Sequence, residues 1–330
     1  MEQNLKISVI VPSYNQGEFI ENVINSVLFQ TYSNWELIIQ DGDSKDNTKS
    51  VCEKYVQMDE RIFFYSEKDK GFADAVNKAI AKSTGKLAVI QSSDDFFAYN
   101  RVFENVEKLY NENNDLILIS GASVTVDEEL NCLNVDERVD KYVNFEKIYS
   151  LNDHFSQGAT FFLLERAKAI GGLDVEVDMV ADTDFWIRMT SYEPLLINSI
   201  YQTSKIFGGV VVQKEQRSAD LSKFYLGRAT MACRHLNNNR ILLNENFKKL
   251  QANKLIMIGL FHYIGLNKDI TPFKNLYKEI NGVEFSFFQL SFKGKLKFIL
   301  NRFRKTNNSK EDIFKNAAKN SLINYNWWNN

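Results

Sequence analysis

Three short polar runs stand out in the first hundred residues: Pro12-Ser13-Tyr14-Asn15, Asp41-Gly42-Asp43-Ser44 and Ser92-Ser93-Asp94-Asp95. Each follows a run of apolar residues. A fourth cluster, Asp182-Thr183-Asp184-Phe185-Trp186, lies further along. Taken singly these runs say little, because Asp and Ser after a strand also cap the next helix. Asp43 and Ser44 read equally well that way. Gathered on one rim, the same residues set several carboxylates round one cleft. Like charges converge only where a cation or donor groups separate them. A hard divalent ion holding substrate phosphates does this through oxygen ligands.

The elements that must carry these runs follow from apolar spacing. Residues 7–11 form a short β-branched run, typical of a strand buried on both faces. Phe19, Ile20, Val23, Ile24, Val27 and Leu28 recur at helical spacing. Residues 35–40 read as a second strand and 62–65 as a third. A helix carrying Val51, Tyr55 and Val56 lies between them. Residues 71–83 form a helix with Phe72, Val76, Ala79 and Ile80 inward, and 87–91 a fourth strand. This alternation predicts an α/β fold with a mostly parallel central sheet and right-handed crossovers. Ligands of such sheets bind beyond the carboxyl ends of the strands. Further on, 116–120 and 158–164 read as strands and 180–192 as a helix. From about residue 222 the pattern turns helical, aromatic and basic.

Bulk composition narrows the class. The chain has 330 residues, 44% hydrophobic and 25% charged, enough for a packed α/β domain with an appendage. Cys52, Cys132 and Cys233 are far apart and lack a CxxC spacing, which argues against a disulfide framework or thiolate zinc site and for a reducing cytosol. No signal peptide is visible. The apolar run at 255–266 is interrupted by His262 and is shorter than the ~20 residues that span a bilayer. The net charge of −2 hides an asymmetry. Residues 241–310 carry 13 Lys and Arg against 4 Asp and Glu, so a +9 segment faces a remainder of −11. Such separation suits two ends that meet different partners.

The segments VIVPSYNQGEFIENVINSVLFQTYSNWELIIQDGDSKDNT, KGFADAVNKAIAKSTGKLAVIQSSDD and GGLDVEVDMVADTDFWIRM together resemble the family-2 glycosyltransferases of the GT-A fold, in the right order over about residues 6–190. The resemblance implies a nucleotide-binding GT-A catalytic domain over 1–221, with a nucleotide-sugar half near 1–98 and an acceptor half near 99–221. A helical, basic region over 222–330 follows. It also implies roles. Pro12, Ser13 and Tyr14 match the loop that packs on the nucleobase, and Asp41 the carboxylate that reads the base or its ribose. Asp74 and Asn77 lie on the helix that faces the nucleotide. Ser93, Asp94 and Asp95 match the end of the DxD motif. Asp94 and Asp95 there hold Mn²⁺ or Mg²⁺ on the diphosphate. Asp182 matches the general base, with Asp184 and Trp186 on the same helix at a possible acceptor site. His154 and Gln157 fall where the family lines its acceptor cleft. One departure is plain: Ser92 stands where the motif has its first Asp.

The implied reaction is inverting transfer of one sugar from a nucleoside-diphosphate sugar, UDP-linked by analogy, to a hydroxyl of a glycan or lipid-linked glycan in cell-surface polysaccharide or glycolipid synthesis. Gln213-Lys214-Glu215-Gln216-Arg217 lacks the QxxRW pattern of processive synthases. Without the motif, Asp182 and Asp184 read equally as helix N-terminal acids. A nucleotidyltransferase would use a similar fold and similar acids, but it usually carries a Gly-rich basic loop after its first strand, unlike PSYNQGEF. A silent nucleotide-sugar-binding protein has only Ser92 in its favour. In the C-terminal region Phe288, Phe292, Leu296, Ile299 and Phe303 form an apolar stripe among Lys293, Lys295, Lys297, Arg302, Arg304 and Lys305. A basic amphipathic helix of this kind lies in an anionic membrane interface or docks on the catalytic domain or another subunit. No groove-reading motif for nucleic acid accompanies it. The expected place is the cytoplasm, peripheral at the inner face of the cell membrane.

Overall fold

A computed structural model of the chain describes residues 5–136, 138–151, 155–191, 198–212, 221–238, 241, 243–266 and 268–285. His154, the 213–217 stretch and the stripe over 288–303 lie outside the described residues. The chain divides into two compact units between Lys214 and Glu215. The division expected from sequence falls a few residues later.

The first unit opens with β1 (Ile7–Ser13), α1 (Ile20–Leu28), β2 (Trp35–Asp41), α2 (Thr48–Met58), β3 (Ile62–Ser66), α3 (Phe72–Lys82) and β4 (Leu87–Ile90). The strands and helices fall where apolar spacing puts them, with ends moved by a residue or two. One inward position differs. Val56 of α2 is exposed, and Cys52 fills the core position instead. The second part carries β5 (Phe96–Phe97), α4 (Val102–Glu112), β6 (Leu118–Val126), β7 (Cys132–Val135), β8 (Lys141–Tyr142), α5 (Phe145–Tyr149), β9 (Thr160–Leu163), α6 (Leu164–Ala169), α7 (Ala181–Ser191) and β10 (Ile200–Val211).

The strands form one sheet in the order β3-β2-β1-β4-β9-β6-β10-β5, with β7 beside β6 and β8 beside β10. The pairs β3–β2, β2–β1 and β1–β4 are parallel. Beyond β4 the sheet is mixed: β9 runs antiparallel to both neighbours, and β10 runs parallel to β6. β2 and β4 are buried along their whole length, which explains the apolar runs Leu37–Ile39 and Leu87–Ile90 within them. The main core joins Val9, Val11, Leu37 and Val89 to Val23 and Val27 of α1 and to Phe103 of α4. Chain order reverses at β1, with β2 on one side and β4 on the other. That switch point opens a crevice at the carboxyl ends of these strands.

The second unit has three described helices: α8 (Leu221–Leu236), α9 (Glu245–Gly265) and α10 (Thr271–Asn281). They enclose a small core of Ala229, Cys233, Ile256, Leu260 and Phe273. Gly259 lets the Phe273 ring close on α9, since a Cβ there would collide with the ring. Asn244 caps α9 by accepting from the Asn246 and Phe247 N–H groups. Among the described residues no helix is long and apolar enough to cross a membrane.

Candidate active site at the strand switch point

The first two polar runs are fastened to each other. The Gly42 N–H donates to the Ser13 carbonyl at 2.9 Å, tying the end of β2 to the end of β1. Asn15, in the left-handed region at φ 52°, donates its N–H to the Ser44 hydroxyl oxygen at 2.8 Å. Its Oδ1 in turn accepts from the Lys45 N–H at 2.9 Å. Asp46 accepts from the Gly17 N–H, again across the two loops. Asn and Asp tolerate the left-handed backbone that such corners need; Asp43, at φ 68°, is the second case.

Asp41 is fully buried at the centre of this corner. Its Oδ2 accepts from the Ser44 N–H at 3.0 Å and from the Ser66 hydroxyl at 2.6 Å, and its Oδ1 accepts from the Ser44 hydroxyl. A buried carboxylate needs such donors. Tyr14 is 59% exposed, its ring presented to solvent beside Gly42. A Cβ on Gly42 would sit 3.3 Å from the Tyr14 ring and 2.6 Å from Asp69 Oδ2. Gly42 therefore lets the Tyr14 ring and the Asp69 carboxylate close on the backbone. Asp69 was not singled out from sequence; the only signal was its place just after β3. It accepts from the Gly71 N–H at 2.8 Å.

The third run turns sharply after β4. The Asp95 N–H donates to the Ser92 carbonyl at 3.2 Å, and Asp95 Oδ1 accepts from the Val211 N–H at 3.0 Å, linking the corner to β10. The Ser92 hydroxyl also bonds the Asp95 carboxylate. Burial, and then the neighbouring Asp94 charge, push Asp95 up to about 7. Burial raises Asp94 as well. Ser93 is buried in the same turn. Two adjacent carboxylates this desolvated favour a cation between them and an anionic ligand. Among the described residues no group of three or more His, Cys, Asp or Glu gathers into a cage. One or two carboxylates plus substrate phosphates and waters are what Mg²⁺ commonly uses, so the donor set fits a divalent ion held jointly with a diphosphate.

The helix residues sort themselves differently from the expectation. Asp74, at the start of α3, accepts from the Lys70 N–H at 3.0 Å and lies 3.6 Å from Lys78. Asn77 uses both ends of its amide on the Leu173 backbone, donating to the carbonyl at 2.9 Å and accepting from the N–H at 2.7 Å. Gly172, at φ 69°, makes room, for a Cβ there would collide with Asn77 Oδ1. Asn77 thus bolts α3 to the loop that leads into α7. Asp182 stands in the first turn of α7, partly buried, with its Oδ1 accepting from the Thr183 N–H at 2.7 Å. Asp184 and Trp186, expected near the acceptor, face the interior. Asp184 is 3% exposed and pairs with Arg188 at 2.6 Å. Trp186 is 3% exposed and packs against Phe155, Phe162 and Phe185. Gln157 opens a 3-10 turn, Gln157–Ala159, and is partly exposed.

Comparisons with known proteins place this arrangement. The family model described as Glycosyl transferase family 2 matches residues 8–169. TuaG of Bacillus subtilis (strain 168), a glycosyltransferase named for teichuronic acid biosynthesis, is 38% identical over 102 residues, 31% of this chain and 40% of its own. WfgD of Escherichia coli, named UDP-Glc:alpha-D-GlcNAc-diphosphoundecaprenol beta-1,3-glucosyltransferase, is 37% identical over 108 residues, 32% of this chain and 42% of its own. The chain thus spans less than half the length of these two relatives. Among solved structures, S. aureus TarS 1-349 in complex with UDP-GlcNAc superposes with a TM-score of 0.66 at 17% identity, covering 90% of this chain and 89% of that one. That likeness speaks for the fold, which is the GT-A type. On the matched segment, the relatives and the fold together, the chain belongs to the family 2 glycosyltransferases.

Proposed function

We propose that this chain moves one sugar from a UDP-sugar to a hydroxyl of a glycan or lipid-linked glycan in the synthesis of cell-surface polysaccharide. The observation that carries the reading is the Asp41 corner beside the Asp94–Asp95 turn at the switch point. One end offers an exposed ring and a buried carboxylate for a base and ribose. The other offers desolvated acids for a metal-bound diphosphate. WfgD is named for a UDP-Glc donor and a diphosphoundecaprenol-linked acceptor, and TarS carries UDP-GlcNAc; both support this choice of class.

In the proposed chemistry Tyr14 stacks on the base and Asp41 accepts from it or from the ribose. Asp94 would hold the metal, because Asp95 is held by Val211 and Ser92. Mn²⁺ or Mg²⁺ there would supply positive charge to the departing diphosphate. Asp182 takes the proton from the acceptor hydroxyl as that oxygen bonds to the anomeric carbon. The bond from carbon to diphosphate oxygen breaks, its electron pair leaves with UDP, and the anomeric centre inverts.

The test is a thermal-shift series with UDP, GDP, ADP and UDP-GlcNAc, with and without Mn²⁺. A ligand at 100 times its Kd adds about 2.7 kcal/mol to stability. Uridine nucleotides are expected to stabilise most, and more with Mn²⁺. Asp94→Asn is expected to remove the Mn²⁺-dependent part. No stabilisation by any nucleoside diphosphate would refute the reading.

A further inference from the structure

The site described above leaves one buried side chain unexplained. Gln91, directly after β4, is fully buried, yet among the described residues neither its Oε1 nor its Nε2 has a hydrogen-bond partner. Ser13 Oγ, at the end of β1, is also buried and has none among them. An apolar side chain of similar volume, such as Leu or Met, carries no such penalty, so the bare amide is a cost to the fold.

The two side chains share one face of the sheet. β1 and β4 pair in parallel with Val9 beside Val89 and Ile10 beside Ile90, and the Gln91 N–H still donates to the Ile10 carbonyl at 2.9 Å. Strand alternation then sets Val9, Val11 and Ser13 on the side of Val89 and Gln91. Val9, Val11 and Val89 all lie in the main core. Gln91 and Ser13 are the polar continuation of that face towards the strand ends. The backbone of Gly158 covers the amide: a Cβ there would collide with Gln91 Oε1 and lie 3.1 Å from Nε2. Gly208 backs the same turn, its own would-be Cβ 3.1 Å from the Gly158 carbonyl. On the chain, Ser92, Ser93 and Asp94 follow Gln91 directly.

We propose that Gln91, assisted by Ser13, is a specificity-determining residue that takes a hydroxyl of the sugar carried on the nucleotide. The proposal rests on the preceding reading, which puts the diphosphate at Asp94. The sugar is bonded to that diphosphate and lies next to it, where Gln91 leads into the turn. A sugar hydroxyl both donates and accepts, and a carboxamide offers the complementary acceptor and donor on one planar group. The Gln157–Ala159 turn lifts from the amide to admit it, and the glycine at 158 keeps the approach free of a side chain.

The experiment uses the full chain and Gln91→Leu. Thermal stability, UDP affinity and affinity for UDP-glucose, UDP-galactose and UDP-GlcNAc are measured by melting and calorimetry. Gln91→Leu is expected to melt no lower than the parent and to bind UDP equally. It is expected to lose about 10-fold in affinity for the sugar nucleotide that the parent prefers, the size of one or two lost hydrogen bonds. Gln91→Met, unbranched and flexible, gives the same reading if Leu packs poorly. If the parent binds UDP and a sugar nucleotide while both variants bind that sugar nucleotide unchanged, the subsite is wrong and the donor reading stands. If the parent binds no uridine nucleotide, both fall together.

Discussion

β1–β4 and β5–β10 belong to one sheet, yet they place functional side chains by different means. In the first half each strand passes to the next through one helix, and the polar corners follow directly from strand ends. The corners are closed by short-range partners: Ser44 lies three residues from Asp41, and Ser92 three from Asp95. In the second half β9 pairs antiparallel with β4 and β6, and β10 reaches back to hold Asp95 through Val211. On the proposed reading, the donor side thus rests on βα corners that short-range bonds close and longer ones, such as Asp41 with Ser66, tie together. The α7 side is fastened by contacts between residues far apart in sequence, such as Asn77 with Leu173.

The largest effect that can break this comparison lies on α7. Residues two apart on a helix point about 200° from one another, so Asp182 and Asp184 cannot share a role. Asp182→Asn is expected to slow transfer by roughly 10²-fold or more while UDP binding and stability stay as they were. Asp184→Asn is expected to do the reverse. Breaking a buried pair strands Arg188 and costs about 3 kcal/mol of stability in urea unfolding. If Asp184→Asn removes transfer without loss of stability, the base has been placed on the wrong carboxylate. If Asp182→Asn also weakens UDP binding, the two halves are not separable.

These two residues also mark where sequence reading stops. The places of Asp41, Asp94, Asp95 and Asp182 at strand and helix ends were legible because such an end is a local pattern, while the roles expected of them came from the family resemblance. The Asp184–Arg188 pair was legible in principle, since four residues is the helical spacing for an ion pair. Trp186 was expected at the acceptor through the family resemblance, from its place on the Asp182 helix. Its burial depends on Phe155 and Phe162, which only the folded sheet brings to it. Ser66 and Asp69 were missed for the same reason: parallel pairing of β2 with β3 sets Asp41 beside Ser66. The bare amide of Gln91 is invisible in one dimension, because an unmet hydrogen bond is a property of surroundings.

A middle-sized effect sharpens the donor side. Asp41→Asn keeps shape but loses the charge held by Ser44 and Ser66. UDP affinity is expected to fall between about 10-fold and 100-fold, the range for a charge-assisted hydrogen bond. Ser66→Ala removes one neutral donor and is expected to cost a few-fold at most. Turnover at saturating donor should change little in either variant. A large fall in turnover with unchanged UDP affinity would move Asp41 from recognition to chemistry.

The smallest expected effect lies at the opposite end of the same strands, where no ligand role is proposed. Glu36, near the start of β2, is 3% exposed. Its Oε1 accepts from the Ser8 hydroxyl at 2.6 Å and the Thr84 N–H at 2.6 Å, and its Oε2 from the Thr84 hydroxyl at 2.8 Å. Lys6 lies 2.7 Å from Oε2. Burial alone would raise this carboxyl, but the bonds from Lys6, Ser8 and Thr84 outweigh it and hold it below the usual value. A folded-state value below the unfolded one means that the unfolded chain binds the proton more tightly. The stabilisation is therefore complete above the unfolded value, about 4.3, and is lost as pH falls through the lower folded value. Glu36→Gln is expected to cost about 1–2 kcal/mol at pH 7, since Lys6 loses its charge partner and the amide cannot accept every donor. The difference between parent and variant should shrink as pH falls below 4, while UDP affinity at pH 7 stays the same. A variant that weakens UDP binding as much as it weakens the fold would mean that the two ends of β2 are coupled, and that the donor corner is less local than its hydrogen bonds suggest.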